Sequence, residues 1–190
     1  MKRFLIRDYV PLLVVIFLSI VVSIFIYQKA NTPNDYEKIC VFVSATTVDA
    51  DYLSEKINMD DLKAITYLYT DPTDEYYFER LQTVITDADL LIVPKSILEK
   101  DGSENTFILL SDEICDKYGI DLSKYEVFTK EDKKLGVRVD NIFTISFYPD
   151  GFEGEKEEFY LVINDTINSK LNPQDKESDN SFKAFSNLIK

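Results

Sequence analysis

The chain has 190 residues, with 34 acidic against 21 basic side chains, a net charge of −13, no histidine and two cysteines. A surface of that sign repels nucleic-acid phosphates and anionic headgroups, which argues against DNA or RNA as a partner. Without histidine there is no Ser-His-Asp or Cys-His arrangement and no histidine metal site, and five glycines with six prolines are too few for a fibrous or disordered chain.

Tyr9 to Tyr27 carries no charge. A helix of this length rises roughly 28 Å, close to the thickness of a bilayer's hydrocarbon core, and satisfies its own backbone groups in lipid. Tyr9 and Tyr27 flank the run at interface depth, and Pro11 is expected in its first turns. Lys2, Arg3 and Arg7 precede it and acids come after it. The positive-inside rule then predicts a cytoplasmic tail over 1–8, a transmembrane anchor over 9–27, a linker over 28–37 and an extracytoplasmic domain over 38–190. The competing reading is a cleaved signal peptide, which needs a shorter apolar core and a small-x-small site. The run continues instead into Gln28-Lys29-Ala30-Asn31, and no cysteine stands there to carry a lipid.

Lys38–Ser44 is an apolar run rich in β-branched and aromatic residues, the pattern of a strand buried on both faces. A helix is predicted near Val48–Ile57, with Leu53 and Ile57 four apart. A second strand is predicted over Leu62–Tyr69. Asp74 is the expected N-cap of a helix reaching about Thr86, with Tyr77, Leu81, Val84 and Ile85 at helical spacing. Leu90–Val93 is the third strand. Strand alternating with helix points to an α/β domain of three layers with a mostly parallel sheet.

Beyond it, short helices are predicted at Ser96–Lys100 and from Ser111 to before Gly119. Extended segments come next at Tyr125–Thr129, Leu135–Val139 and Phe143–Tyr148. The turn Pro149-Asp150-Gly151-Phe152-Glu153-Gly154 precedes a strand over Phe159–Ile163, which is expected to form a hairpin with Phe143–Tyr148. Lys170–Asn180 is polar and expected to be mobile. Phe182, Phe185 and Ile189 mark one face of a closing helix. A Cys40–Cys115 disulfide is permitted outside the cytoplasm, although Cys40 sits in an apolar strand and reads as a small buried hydrophobe. Asn164-Asp165-Thr166 matches a glycosylation acceptor.

The opening strand Lys38–Ser44, the stretch Leu81–Asp89 running into Leu90-Leu91-Ile92-Val93-Pro94, the piece Phe107–Glu113, and Tyr160–Asn164 before the last helix carry a family resemblance. In this order they resemble one lobe of a bacterial extracellular solute-binding protein, the receptor class of ABC importers, over roughly Lys38–Lys190. The resemblance implies one lobe of a type II periplasmic-binding-protein fold, tethered to the cell membrane. Capture in that family closes two lobes around a solute, so one lobe offers half of such a site.

In an open parallel sheet, ligands sit beyond the carboxyl ends of the strands. Ser44, Thr46, Thr47, Asp71, Lys95 and Ser96 occupy those ends and are the candidate ligand-binding residues; as ordinary loop and cap residues they have a simpler explanation. No GxSxG, P-loop or GxGxxG occurs. The acidic group Asp150, Glu153 and Glu155 lacks EF-hand spacing. No catalytic residue, metal or cofactor is therefore expected. The expected function is a membrane-tethered, non-enzymatic binding or accessory module. Its expected partners are an ABC transporter or envelope protein, a small polar ligand, and the lipid bilayer through Tyr9–Tyr27. The alternatives are a protein-interaction or assembly factor of the envelope with no small ligand, and a hydrolase working through its acidic residues.

Overall fold

The computed structural model describes residues 2–143, 145–165 and 176–190. The chain forms two compact units, Met1–Asn34 and Asp35–Lys190. The first is one helix, α1 (Lys2–Asn31). Within its stretch Tyr9–Asn31 an 18-residue window reaches a mean hydropathy of 2.9 with none of it buried, and the stretch is long and apolar enough to cross a membrane. A helix apolar on every face is stable in lipid rather than in water; it fits a single-pass membrane protein. Pro11 lies inside α1 rather than in its first turns, because the helix extends back through the preceding tail. It removes one i to i−4 hydrogen bond.

The second unit contains β1 (Lys38–Ser44), α2 (Ala50–Ile57), β2 (Ala64–Thr70), α3 (Tyr77–Val84), β3 (Leu90–Pro94) and α4 (Lys95–Leu98). After these come α5 (Asp112–Tyr118), β4 (Val127–Lys130), β5 (Lys133–Arg138), β6 (Phe159–Ile163) and α6 (Lys176–Ile189). The strands form a single sheet in the order β2-β1-β3-β6-β5-β4. This is an α/β domain, but its sheet is mixed. β1 runs parallel to β2 and β3, whereas the β3–β6, β6–β5 and β5–β4 pairs are antiparallel. The expectation of a mostly parallel sheet extended the first βα units too far. Parallel neighbours need a crossover helix, and only α2 and α3 serve as one. Between β4 and β5 the chain turns at Glu131 and Asp132, both at positive φ (49° and 62°), the backbone of a tight antiparallel hairpin.

Side-chain alternation divides the core into two layers. Ile39, Val41 and Val43 of β1, with Leu90, Ile92, Leu161 and Ile163, face one side. There they pack against Leu53 and Ile57 of α2 and against Phe182, Phe185 and Leu188 of α6. Phe42, Leu91, Val93, Tyr160 and Val162 face the other, under Tyr77 and Leu81 of α3 and under Ile97 and Leu98. The helix ends carry their own signals. Asp49 accepts from the Tyr52 N–H before α2; Ser111 accepts from Ile114 before α5, and Gly119 ends that helix in the left-handed conformation (φ 65°). Asp74 does not cap α3. It accepts from the Tyr76 N–H two residues on (2.8 Å), and Asp71 does the same for Thr73 (2.8 Å), so two successive Asx turns delay the helix to Tyr77. At the C-terminus, Lys176–Asn180 forms the start of α6 rather than a mobile linker; 170–175 lie outside the described residues.

The hairpin expected between Phe143–Tyr148 and β6 does not form. Both edges of β6 are taken, by β3 and β5. Among the described residues of 143–148 none is a strand residue. Phe143 and Phe147 are instead buried in the first core layer, Phe147 stacked on Phe159 with ring centroids 4.2 Å apart. The Pro149 turn itself is present: the Phe152 N–H donates to the Pro149 carbonyl, with Gly151 at φ 78°.

Both cysteines are free. Cys40 packs against the second layer and Cys115 lies in the first, so the sheet separates them and no bridge can close. Asn164 is fully buried and its side-chain amide donates to the Ile85 and Ala88 carbonyls. That amide nitrogen is not available for glycosylation in the folded chain; Thr166 of the acceptor triplet lies outside the described residues.

Gly136 of β5 stands opposite Val162. A Cβ there would meet Val162 Cγ1 at 2.6 Å and the Leu161 carbonyl oxygen at 2.8 Å. Although glycine is a poor strand residue, Gly136→Ala should lose about 1–3 kcal/mol by overpacking, read by urea unfolding; an unchanged or raised midpoint would contradict this packing. Burial, with Asp89 and Asp87 nearby, pushes the Cys40 thiol up to about 11. A raised pKa keeps the thiol protonated, so its iodoacetamide modification should rise about tenfold per pH unit between pH 8 and 10. A rate that is half-maximal near pH 8.5, the ordinary thiol value, and levels off by about pH 9.5 would show that Cys40 is not shielded as described.

Candidate functional site

The carboxyl ends of β2 and β3 open into a cleft of about 500 Å³. Four pieces of chain build it. The β2–α3 turns supply Pro72, Thr73, Asp74 and Glu75; α3 supplies Tyr77 and Phe78; the β3–α4 junction supplies Pro94 and Ser96; and the segment before β6 supplies Tyr148, Phe152, Glu155 and Glu157. The last segment reaches the cleft because β6 starts beside the end of β3, with Phe159 paired to Pro94.

Hydrogen bonds tie the walls to one another. The Ser96 N–H donates to Glu157 Oε2 (2.9 Å), and the Glu157 N–H donates to the Tyr148 hydroxyl (2.7 Å). The Tyr148 and Phe152 rings stack with centroids 4.6 Å apart. Burial, opposed by the bond from Glu157 and helped by the Glu157 and Asp140 charges, raises the Tyr148 phenol above its ordinary value. Burial likewise raises Tyr77. Both phenols are therefore neutral at physiological pH. Phe78 is half exposed, and Lys100 Nζ sits 3.3 Å over its ring.

The six residues expected from sequence are divided by the structure. Ser96 lines the cleft. Ser44 is fully buried, its hydroxyl bonded to the Tyr77 hydroxyl at 2.5 Å, so it supports the wall from behind. Asp71 spends one oxygen on the Thr73 N–H and hydroxyl, shaping the turn. Lys95 pairs with Glu158 at 3.3 Å and donates its backbone N–H to the Glu158 carbonyl. Thr46 donates its hydroxyl to the Ser146 carbonyl (2.9 Å), holding the segment that carries Tyr148. Thr47 is exposed and does not line the cleft. The residues that sequence reasoning misses are Tyr77, Phe78, Tyr148, Phe152, Glu155 and Glu157. Tyr77 is legible only as a helix-face residue. The pattern around Tyr148 reads as a strand, and the turn at Pro149 is the one signal that Phe152 would be presented.

Beside the cleft, Arg138 holds Asp140 with two bonds (2.8 and 3.0 Å), Glu126 (2.9 Å) and Glu158 (2.9 Å). Tyr160 also donates to Glu158, and this bond, with Lys95 and Arg138, holds the Glu158 carboxyl below its usual range. Glu158 thus consumes two nearby bases, and no basic side chain lines the cleft. A second cavity of about 450 Å³ lies near the opposite ends of β1 and β2, between Glu37, Asp60, Asp61, Lys63, Asp179, Asn180 and Lys183, four acids against two bases. Among the described residues no three His, Cys, Asp or Glu side chains converge so as to hold a metal ion. In comparisons with known proteins, no family, no curated protein and no solved structure matches this chain.

Proposed function

We propose that this protein is a membrane-tethered, extracytoplasmic binding or accessory module that performs no catalysis and works beside an ABC importer or another envelope protein. The basic tail Lys2, Arg3 and Arg7 before α1 supports a cytoplasmic N-terminus and a domain on the far side of the membrane. Two features of the sheet support a solute-binding-like lobe. The β2-β1-β3 unit is parallel, and the antiparallel β6 returns beside β3 ahead of a terminal helix.

The observation that carries the reading is the cleft at the ends of β2 and β3. Such a position, with aromatic walls and a few fixed polar groups, is where open α/β sheets take small ligands. Its chemistry selects among polar solutes. With Asp74 paired to Arg80 and Phe78 covered by Lys100, the remaining lining carboxylates Glu75, Glu155 and Glu157 and the rings of Tyr77, Tyr148 and Phe152, without a basic lining residue, favour a solute bearing an amine or a quaternary ammonium. The second reading, an interaction or assembly factor of the envelope, is favoured by the large side chains that remain exposed outside α1, Tyr69, Tyr76, Phe78 and Leu109.

The full chain in lipid nanodiscs should melt at a higher temperature with one or more amine-bearing solutes from a broad library. Phe152→Leu and Glu157→Gln should each weaken that solute by about 1–2 kcal/mol in titration calorimetry. Flat melting curves across the library would leave the assembly-factor reading standing in its place.

A further inference from the structure

The two edges of the sheet are built differently. β4 has four residues, a register break between Phe128 and Thr129, and Lys130 at its end. Short length, bulges and lysine are the devices that keep an edge from pairing with other chains. β2, on the opposite edge, has none of them. Its seven residues, Ala64-Ile65-Thr66-Tyr67-Leu68-Tyr69-Thr70, include no charge, proline or glycine, and they keep unbroken register with β1 over their whole length. Among the described residues, none bonds to the backbone row that faces away from β1. Thr66 is exposed and Tyr69 is 59% exposed.

Acids bracket this strand. Asp60 and Asp61 precede it and Asp71 and Asp74 come after it, while nearby Lys63 and Arg80 are engaged by Glu37 (2.7 Å) and Asp74 (3.3 Å). Self-pairing is opposed by these charges: an antiparallel copy would set Asp60 and Asp61 against the Asp71–Asp74 turn, and a parallel copy would set each acidic end against itself. A strand with basic ends meets attraction at both ends in either direction. We propose that the outer edge of β2 is a docking surface for an extended segment of a partner protein, added as a seventh strand, uncharged in its middle and carrying lysine or arginine at both ends. This edge meets the cleft only at the Asp71–Asp74 turn, and the interaction stands or falls independently of any small ligand.

The test uses the full chain in zwitterionic nanodiscs and a fluorescent peptide of seven alternating threonines and valines between paired lysines. The expected result is saturable binding, about tenfold weaker for the same peptide with glutamates in place of the lysines. Hydrogen exchange should show new protection on alternate amides of Ala64–Thr70. Thr66→Lys, at an exposed position, should leave the melting temperature unchanged and weaken the peptide at least about tenfold. A central valine-to-proline change in the peptide should weaken it similarly. Three results would overturn the proposal: no binding; binding without protection in Ala64–Thr70, which is diffuse ionic attraction; or protection of that strand by concentration-dependent self-association without peptide, which makes a second copy the occupant.

Discussion

The insertion of β6 between β3 and β5 is the contact on which the rest of the domain depends. All five of its residues are buried, three facing one core layer and two the other. Burying such side chains stabilises by about 1.5–3 kcal/mol each before the entropy of ordering is charged. On one side β6 pairs with β3 over five residues; on the other it pairs with β5 over three. Without it, the parallel β2-β1-β3 unit and the β4–β5 hairpin would be two small sheets, each with an open apolar edge. With it, both core layers run unbroken across six strands.

The direction of β6 also places the candidate site. Because it runs antiparallel to β3, its first residue lies beside the last residue of β3. The preceding chain must therefore arrive at the carboxyl ends of the parallel strands, and it brings Tyr148, Phe152, Glu155 and Glu157 with it. Arg138, Asp140, Glu158, Lys95 and Tyr160 fasten that junction. In so acidic a chain this sets the charge of the cleft. Lys95 and Arg138 are held at the junction, and the lining itself carries four carboxylates and no basic side chain, with Arg80 paired to Asp74 and Lys100 over the Phe78 ring.

Much of the fold was legible in the sequence because burial on two faces leaves a plain mark. The uninterrupted apolar runs of β1 and β3, the Ser111 cap and Gly119 stop of α5, and the Phe182, Phe185 and Ile189 face of α6 are local signals that the packing respects. Phe143–Tyr148 shows where such signals fail. Its alternation of apolar and polar residues is the mark of a strand, yet it equally suits a segment laid over a core with every second side chain inward. Only the occupancy of both β6 edges decides between them, and that is a long-range fact. For the same reason the sequence overstated parallel pairing. The candidate site was only partly readable: Ser96 reaches the cleft, while Ser44, Thr46, Asp71 and Lys95 are consumed in building it. Polar residues at strand ends advertise a site and its scaffold alike, and the aromatic walls come from segments distant in the chain.

Cross-strand backbone NOEs in the isotope-labelled chain test the place of β6 most directly. The expected contacts run from Phe159–Ile163 to Leu90–Pro94 on one side and to Gly136–Arg138 on the other. A ladder of contacts between Phe159–Ile163 and Phe143–Tyr148 would contradict this arrangement, and would remove the physical basis for the cleft as well.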